Sequence, residues 1–194
     1  MKILLLSPYP NNIIKTLENS GDSYEIYLEK LNLRIVEEKS IDFIISFGYQ
    51  HIISKEIIEK YPDSIINLHI SFLPFNKGSH PNLWSHLEKT PSGVSIHLID
   101  EGLDTGGIIC RKKIFIDREK HTFRTSYKLL KSELENLFQR EWSNIKKKNY
   151  ELNYPFEKGS FHFKKDGIDL LDLFPEGWDT NINKGISEFN NFRK

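Results

Sequence analysis

Apolar residues are concentrated in three short runs within the first 70 residues of the chain. The runs lie at residues 2–7, 42–48 and 65–70, and a proline or glycine ends or soon follows each of them. Short runs that are apolar throughout are typical of central strands in a parallel sheet, because such strands are buried on both faces. The sequence therefore predicts three central strands, and we expect a further strand at residues 23–28.

Helices are predicted between these strands. Asn11 or Asn12 is a candidate N-cap for a helix that reaches about residue 19, with Gly21 just beyond its end. Ser54 is a candidate N-cap for another helix, which Pro62 closes. Residues 29–40 predict only a turn or a short helix. Strand, helix and strand in this order indicate right-handed crossovers and a parallel sheet.

The second half of the chain predicts an antiparallel sheet edge and a long helix. Pro81 suits the first turn of a helix to about residue 89. Residues 93–99 and 108–116 predict two strands joined by an acidic loop, hence an antiparallel pair at the edge. From residue 122, apolar side chains recur every three or four positions, which predicts an amphipathic helix to about residue 148. The weaker patterns beyond it predict a strand at 159–164, a short helix at 168–174 and a tail over the last fifteen residues.

Composition narrows the class of protein. The 194 residues include 27 Lys and Arg and 27 Asp and Glu, so the formal charge is zero. Nucleic-acid binders usually carry a basic excess, so we expect no nucleic-acid partner. Cys110 is the only cysteine, which excludes an internal disulfide and a multi-thiolate metal site and suits a reducing compartment. No apolar run approaches the roughly 18 residues of a membrane span, so we expect a soluble, cytoplasmic protein with no membrane partner.

These patterns together predict an α/β fold, with a mostly parallel twisted sheet and flanking helices. We expect a catalytic domain at residues 1–150 and a C-terminal extension, residues 151–194, that packs on the same domain. Ligands bind such sheets beyond the carboxyl ends of the strands. Gly48 and the segment Asn67–His69 fall at that position, so the chemistry is expected there.

Asn67, His69 and Asp104 are the candidate catalytic residues. Side chains alternate along a strand, so Asn67 and His69 point to the same side. These residue types suit attack of an amine on a carbonyl carbon: an amide or imidazolium donates to the oxyanion, worth roughly 3 to 4 kcal/mol of barrier. A histidine moves the protons, worth about 100- to 10,000-fold in rate. Asp104 would favour the imidazolium and orient its ring.

We expect no catalytic or metal-binding role for the other histidines. His97 on its strand is more readily explained as a packed side chain than as a ligand. His51, His69 and His97 lack metal-ligand spacing on one element, and with one cysteine we expect no metal.

The same residues resemble the formyltetrahydrofolate-dependent formyltransferases, a family that includes enzymes acting on glycinamide ribonucleotide, methionyl-tRNA and amino sugars. The resemblance rests on Asn67-Leu68-His69-Ile70-Ser71-Phe72-Leu73-Pro74, followed by Ser95-Ile96-His97 and by Asp100-Glu101-Gly102-Leu103-Asp104-Thr105-Gly106. It covers about residues 42–116 and implies a Rossmann-like formyltransferase fold, with Asn67, His69 and Asp104 as the catalytic trio.

The resemblance also implies where the substrates bind. Formyltetrahydrofolate, the formyl donor, would lie between the Gly48 segment and the Asp104 loop, on residues Gly48, Gln50, His51, Ile52, Ile53, Asp100, Glu101 and Gly102. Without the resemblance, Ile52 and Ile53 are equally well explained as core at the entry to a helix. The amine acceptor would contact Lys77, Asn82 and Trp84.

A nucleotide-linked amino sugar destined for a surface polysaccharide is the expected acceptor. Two segments favour it, because Gly78–Ser85 and Gly159–Asp166 look like those of the sugar-type members. Against the purine enzyme, the turn after the first strand lacks its Gly-rich phosphate cradle. The chain is short for a sugar formyltransferase, and whether it forms a homodimer stays open. The alternatives are a phosphoribosylglycinamide formyltransferase, a formyltetrahydrofolate hydrolase and a non-enzymatic folate-binding paralogue.

Overall fold

The computed structural model describes residues 1–167 and 170–193. The chain divides into two compact units that exchange segments along the sequence. Unit 1 comprises Met1–His69, Ile96–Cys110 and Glu135–Tyr154, and unit 2 comprises Ile70–Ser95, Arg111–Leu134 and Pro155–Lys194. The expected boundary at residue 150 stays a prediction.

The secondary structure alternates strands and helices through most of the chain. In order, the elements are β1 (Lys2–Leu6), α1 (Asn11–Asn19), β2 (Ser23–Ile26), α2 (Leu33–Glu38), β3 (Phe43–Ser46), α3 (Lys55–Lys60), β4 (Ile65–His69), β5 (Lys77–Gly78), α4 (Pro81–Leu87), β6 (Gly93–Leu98), β7 (Ile108–Lys113), α5 (Phe123–Lys146), β8 (Phe161–His162) and α6 (Ile182–Phe192). Short 3-10 helices cover Lys164–Gly167, Leu171–Leu173 and Gly177–Asp179.

Unit 1 contains a mixed sheet with the strand order β2-β1-β3-β4-β6-β7, in which β6 and β7 take part through Ile96–Leu98 and Ile108–Cys110. The first four strands are parallel. The Ile99 N–H donates to the Ile65 carbonyl at 2.9 Å, which places the end of β6 beside the start of β4 and makes this pair antiparallel. The mostly parallel sheet with an antiparallel edge is confirmed.

The core of unit 1 lies against the parallel strands. Their central residues are fully buried, as the all-apolar runs predict. One cluster joins β1, β3 and β4 to α2 and α3 through Leu4, Leu6, Leu31, Val36, Ile41, Ile44, Ile53, Ile57 and Ile65. On α5, Trp142 packs edge-on against Phe43, with ring centroids 5.4 Å apart, and its Nε1–H donates to Asp22 at 2.8 Å. This packing fixes the strands whose ends carry the polar residues.

Unit 2 contains the two-stranded sheet formed by β5 and β8, together with α4 and α6. Lys77 pairs with Phe161 and Gly78 with His162 in parallel register. Gly78 has a φ of +87°, and a Cβ there would collide with the His162 carbonyl. Of the helices in the described part of the chain, none combines the length and apolar character that crossing a membrane requires.

Three local predictions need correction. Pro10, rather than Asn11 or Asn12, is the N-cap of α1, because both asparagines already lie within the helix. The strand predicted at 159–164 is only the two residues of β8, and of the helix predicted at 168–174 the structure has the 3-10 turn Leu171–Leu173. Residues 168 and 169 lie outside the described residues.

The largest correction is at the C-terminal end, where α6 replaces the predicted tail. Asn181 caps this helix by accepting bonds from the Asn183 and Lys184 N–H groups, at 3.0 and 3.4 Å. Ile182, Ile186 and Phe189 are buried on one face. Because these apolar residues are spaced by four and three positions, the helix follows the same rule as α5.

Candidate active site

Asn67 and His69 lie in the last three residues of β4. Asn67 is half-buried, and the His69 side chain is only 9% exposed. Ile66, which precedes Asn67, and Leu68, which lies between Asn67 and His69, are buried in the core of unit 1. The alternation of the strand therefore anchors its apolar side and presents an amide and an imidazole on the other.

The loop between β6 and β7 brings in Asp104. The Asp100 carboxylate accepts bonds from the Gly102 N–H at 3.1 Å and the Thr105 hydroxyl at 2.6 Å, which closes the loop on itself. A Cβ on Gly106 would overlap the Leu98 carbonyl, so only glycine permits this approach. Asp104 has a φ of +53°, a left-handed conformation that aspartate adopts more readily than most residues.

Four polar side chains meet at this point: Asn67, His69, His97 and Asp104, named here the strand-end cluster. Asp104 Oδ1 accepts a bond from Asn67 Nδ2 at 3.1 Å, and its Oδ2 lies 3.6 Å from His69 Nε2. The Asp104 side chain is 8% exposed. The role predicted for Asp104, to orient the His69 ring and favour the imidazolium, stays a prediction. The structure brings together the three residues predicted as catalytic.

His97 is the fourth member of the cluster and was not among the residues predicted as catalytic. It is buried, as its interpretation as a packed side chain implies, but its Nε2 lies 3.3 Å from Asn67 Nδ2 and 3.5 Å from Asp104 Oδ1. The rings of His69 and His97 are edge-to-face, with centroids 6.2 Å apart. Antiparallel pairing of β6 with β4 places His97 beside Asn67. The segment Ser95-Ile96-His97 carried part of the resemblance, but the contact with Asn67 follows only from that register.

The residues predicted to hold the donor divide into exposed and buried ones. Ile53 is 6% exposed and belongs to the core cluster, whereas Ile52 is 83% exposed. Gln50 and His51 are also exposed, and Gly48 turns with a φ of +69° against the Tyr9 ring. An exposed isoleucine is an apolar surface that a flat ring system such as pterin can cover.

The other predicted donor residues lie in the loop that carries Asp104. Asp100 and Gly102 form its internal hydrogen bond, as described above, and Glu101 forms an ion pair with Lys55 at 2.7 Å. Leu103 in the same loop is 49% exposed. Donor binding by these residues stays a prediction.

The predicted acceptor residues lie in unit 2, and two of them are buried. Asn82 is 4% exposed; its Nδ2 donates to the Phe123 carbonyl at 3.0 Å, and its Oδ1 accepts from the Ser126 hydroxyl at 3.1 Å. These bonds give Asn82 a packing role. Lys77 is half-buried in β5.

Trp84 is also 4% exposed, and it belongs to a second buried group. Its ring stacks on His162 with centroids 3.9 Å apart and planes at 6°, and His162 Nε2 lies 3.1 Å from Glu88 Oε2. Trp84, Glu88 and His162 are named here the His162 stack. Acceptor binding by Lys77, Asn82 and Trp84 stays a prediction.

The chain is similar both to a known protein family and to solved structures. A family model described as formyl transferase matches residues 15–140. The chain is 42% identical to the formyltransferase PseJ from Anoxybacillus kamchatkensis, and the match covers 97% of this chain and 100% of that one with a TM-score of 0.91. That protein was crystallised in complex with UDP-4,6-dideoxy-4-formamido-L-AltNAc and tetrahydrofolate.

Matches to curated relatives are partial. The methionyl-tRNA formyltransferase of Finegoldia magna is 37% identical over 86 residues, which are 44% of this chain and 28% of that protein. The phosphoribosylglycinamide formyltransferase of Bacillus subtilis is 34% identical over 112 residues, or 57% of this chain and 54% of that protein. The chain thus spans between about a quarter and about half of the length of these two relatives.

Proposed function

The chain belongs to the formyl transferase family, and from that premise we propose that it transfers a formyl group from formyltetrahydrofolate to the primary amine of a nucleotide-linked amino sugar. The observation that carries the proposal is the strand-end cluster, in which Asp104 lies within 3.6 Å of Asn67 Nδ2 and His69 Nε2. An amide donor, an imidazole and a buried carboxylate in contact are the groups that acyl transfer to an amine requires.

Each residue of the trio has a separate task in this proposal. The acceptor nitrogen attacks the formyl carbon, and the carbonyl electron pair moves to oxygen, where the Asn67 amide donates a hydrogen bond to the developing charge. His69 takes the proton that the amine releases and passes it to the folate nitrogen as the bond from that nitrogen to the formyl carbon breaks. Asp104 stabilises the imidazolium between these steps. The products are a formamide and tetrahydrofolate.

A uridine diphosphate sugar is the proposed acceptor class. Support comes from the 42% identical PseJ, whose full length this chain matches and whose crystals contained a UDP-linked 4-formamido sugar together with tetrahydrofolate. A formamido sugar and tetrahydrofolate are the product pair of the proposed reaction. We therefore infer that the acceptor carries a free 4-amino group on a 4,6-dideoxy sugar.

The proposal also covers where the formyl donor binds and where in the cell the reaction takes place. The donor lies on Gly48, Gln50, His51, Ile52 and Ile53 from one side and on Asp100, Glu101 and Gly102 from the other. The exposed Ile52 supports this placement, because an isoleucine at 83% exposure gains most from being covered. We further propose that the reaction takes place in the cytoplasm and supplies a surface polysaccharide pathway with a formamido sugar nucleotide.

A panel of acceptors tests the proposal. Purified protein is mixed with formyltetrahydrofolate and, separately, with UDP-linked 4-amino-4,6-dideoxy-L-AltNAc, a dTDP-linked 3-amino sugar, glycinamide ribonucleotide, methionyl-tRNA or no amine. The expected result is the highest kcat/KM on the UDP sugar. A higher kcat/KM on glycinamide ribonucleotide or methionyl-tRNA would mean that this compound, rather than an amino sugar, is the acceptor. Formate release without any amine would make the protein a hydrolase, and donor binding without turnover on any amine would make it a folate-binding protein.

A further inference from the structure

The ring of His97 is held in one tautomer by its own strand. Its Nδ1 lies 2.7 Å from the Leu98 carbonyl oxygen. A carbonyl oxygen has no hydrogen to give, so Nδ1 must carry the proton and donate it. In the neutral ring Nε2 is then an acceptor, and it faces the strand-end cluster.

This acceptor determines how the Asn67 amide is turned. Asn67 Nδ2 lies 3.3 Å from His97 Nε2 and 3.1 Å from Asp104 Oδ1, and an amide NH2 group has two hydrogens, one for each. If the amide were turned by 180°, its oxygen would face a carboxylate oxygen and a nitrogen lone pair. Both contacts would then be repulsive, so the hydrogen-bond network selects one orientation.

We propose that His97 is a positioning residue that holds the Asn67 amide nitrogen toward the reacting centre. The inference rests on the proposed function, because it concerns the donor that the formyl oxygen needs. The hydrogen bond to the Asp104 carboxylate is charge-assisted and the stronger of the two. The bond to His97 Nε2 is therefore the one that Asn67 exchanges for the formyl oxygen when the donor binds. Until then, His97 keeps the amide from turning its own oxygen toward the substrate.

Nuclear magnetic resonance of the protein alone tests the tautomer. Histidine labelled with ¹⁵N in both ring positions is incorporated, and the His97→Gln variant assigns the His97 signals. We expect a protonated Nδ1 and an unprotonated Nε2, because Nδ1 faces the Leu98 carbonyl oxygen. In Asn67→Ala the Nε2 signal should shift, because its hydrogen-bond donor is gone. A protonated Nε2, in either the other tautomer or the imidazolium, would overturn the proposal, and this readout does not depend on catalytic activity.

Kinetics of two variants test the positioning role. His97→Leu removes the acceptor, so kcat should fall roughly 10- to 100-fold while the KM for the donor changes little. His97→Gln places an amide oxygen where Nε2 was, and most of the lost kcat should return. Equal loss in both variants, or wild-type kcat in His97→Leu, would overturn the role.

His121→Gln is the matched control, because His121 lies outside the strand-end cluster and bonds to the Thr125 hydroxyl at 3.1 Å. Its kcat should equal that of the wild type. Absence of formyl transfer in the wild type would instead refute the proposed function, and the resonance experiment would still decide the tautomer. If His97→Leu does not fold, the comparison of His97→Gln with the wild type and the Asn67→Ala resonance shift decide the proposal.

Discussion

The strand-end cluster and the His162 stack both contain buried histidines, but their surroundings differ in kind. In the cluster, the Asp104 carboxylate lies within 3.6 Å of the His69 and His97 rings, and the Asn67 amide lies within 3.3 Å of Asp104 and His97. In the stack, His162 lies flat on Trp84 at 3.9 Å and reaches one carboxylate, Glu88, at its edge. Burying several polar groups against each other is costly unless every one is paired. From this difference we propose that the cluster serves chemistry and that the stack serves packing.

Removing His69 should have the largest effect on kcat and should distinguish the strand-end cluster most clearly from the His162 stack. In His69→Ala, kcat should fall about 100- to 10,000-fold, because no group remains to move the amine proton. The free energy of unfolding should fall by about 1 to 3 kcal/mol, because the variant leaves the buried Asp104 carboxylate without the His69 ring beside it. Steady-state kinetics and urea unfolding on the same preparation measure both. The cluster would have a structural role if the stability fell and kcat did not.

Phe189 tests the packing side of the comparison. This α6 residue is 3% exposed, and its ring lies edge-on to Trp84 of the His162 stack, with centroids 6.2 Å apart. Phe189→Ala should lower the free energy of unfolding by about 3 kcal/mol, because it leaves a cavity beside the stack. Phe192, on the same helix, is 66% exposed, so Phe192→Ala should change the stability by less than about 0.5 kcal/mol. Equal effects of the two changes on urea unfolding would mean that α6 does not pack as described.

His86 gives a third environment, a histidine without polar partners. It is fully buried, and neither ring nitrogen has a hydrogen-bond partner among the described residues. Burial, with repulsion from Arg118 and His121, lowers the pKa of His86 from 6.5 to about 3. The unfolded chain therefore takes up a proton below pH 6.5 that the native state refuses until about pH 3.

Stability should consequently be unaffected by His86 above pH 6.5 and should fall as the pH drops from 6.5 to about 3. The expected slope is at most about 1.4 kcal/mol per pH unit. Urea unfolding of wild type and His86→Leu at a series of pH values measures it. The difference between the two slopes should vanish above pH 6.5. A wild-type slope equal to that of His86→Leu throughout would contradict the neutral, buried ring.

The smallest expected effect concerns the cap of α6. Asn181 accepts two backbone N–H bonds at the start of the helix and donates to the Glu119 carbonyl at 2.8 Å. Asn181→Ala should lower the free energy of unfolding by about 1 kcal/mol. Asn190→Ala, at an exposed position of the same helix, should leave it unchanged or raise it slightly, because alanine has the higher helix propensity. Thermal unfolding of the two variants measures the difference. Equal unfolding midpoints would mean that the Asn181 cap does not stabilise the helix.

The two regions also differ in how far the sequence predicts them. Asn67 and His69 could be placed together because a strand alternates with period two, and both chemistry and resemblance then pointed to Asp104. His97 could not be added, since its position beside Asn67 depends on the register between β4 and β6. In the His162 stack, Trp84 and His162 are far apart in sequence, so the burial of Trp84 was not accessible to local patterns.

The sequence contains an apolar pattern for helix α6, but the pattern was too short for the helix to be predicted. Its apolar positions fit a helical face, but only three of them are buried residues with large side chains, and Gly185 interrupts the run. A Cβ at Gly185 would collide with the ring of Phe123, so the glycine that weakens the helix locally permits the close approach that stabilises it. Tertiary contact thus overrode local propensity.

The proposed formyl transfer is tested most directly by the ratio of formamido sugar formed to tetrahydrofolate released. Wild-type protein is incubated with formyltetrahydrofolate and UDP-linked 4-amino-4,6-dideoxy-L-AltNAc, and mass spectrometry follows the formamido sugar while absorbance follows tetrahydrofolate. We expect one formamido sugar for each tetrahydrofolate released, and the loss of both together in Asn67→Ala. Tetrahydrofolate release with formate and no formamido sugar, or undiminished product formation by Asn67→Ala, would contradict it.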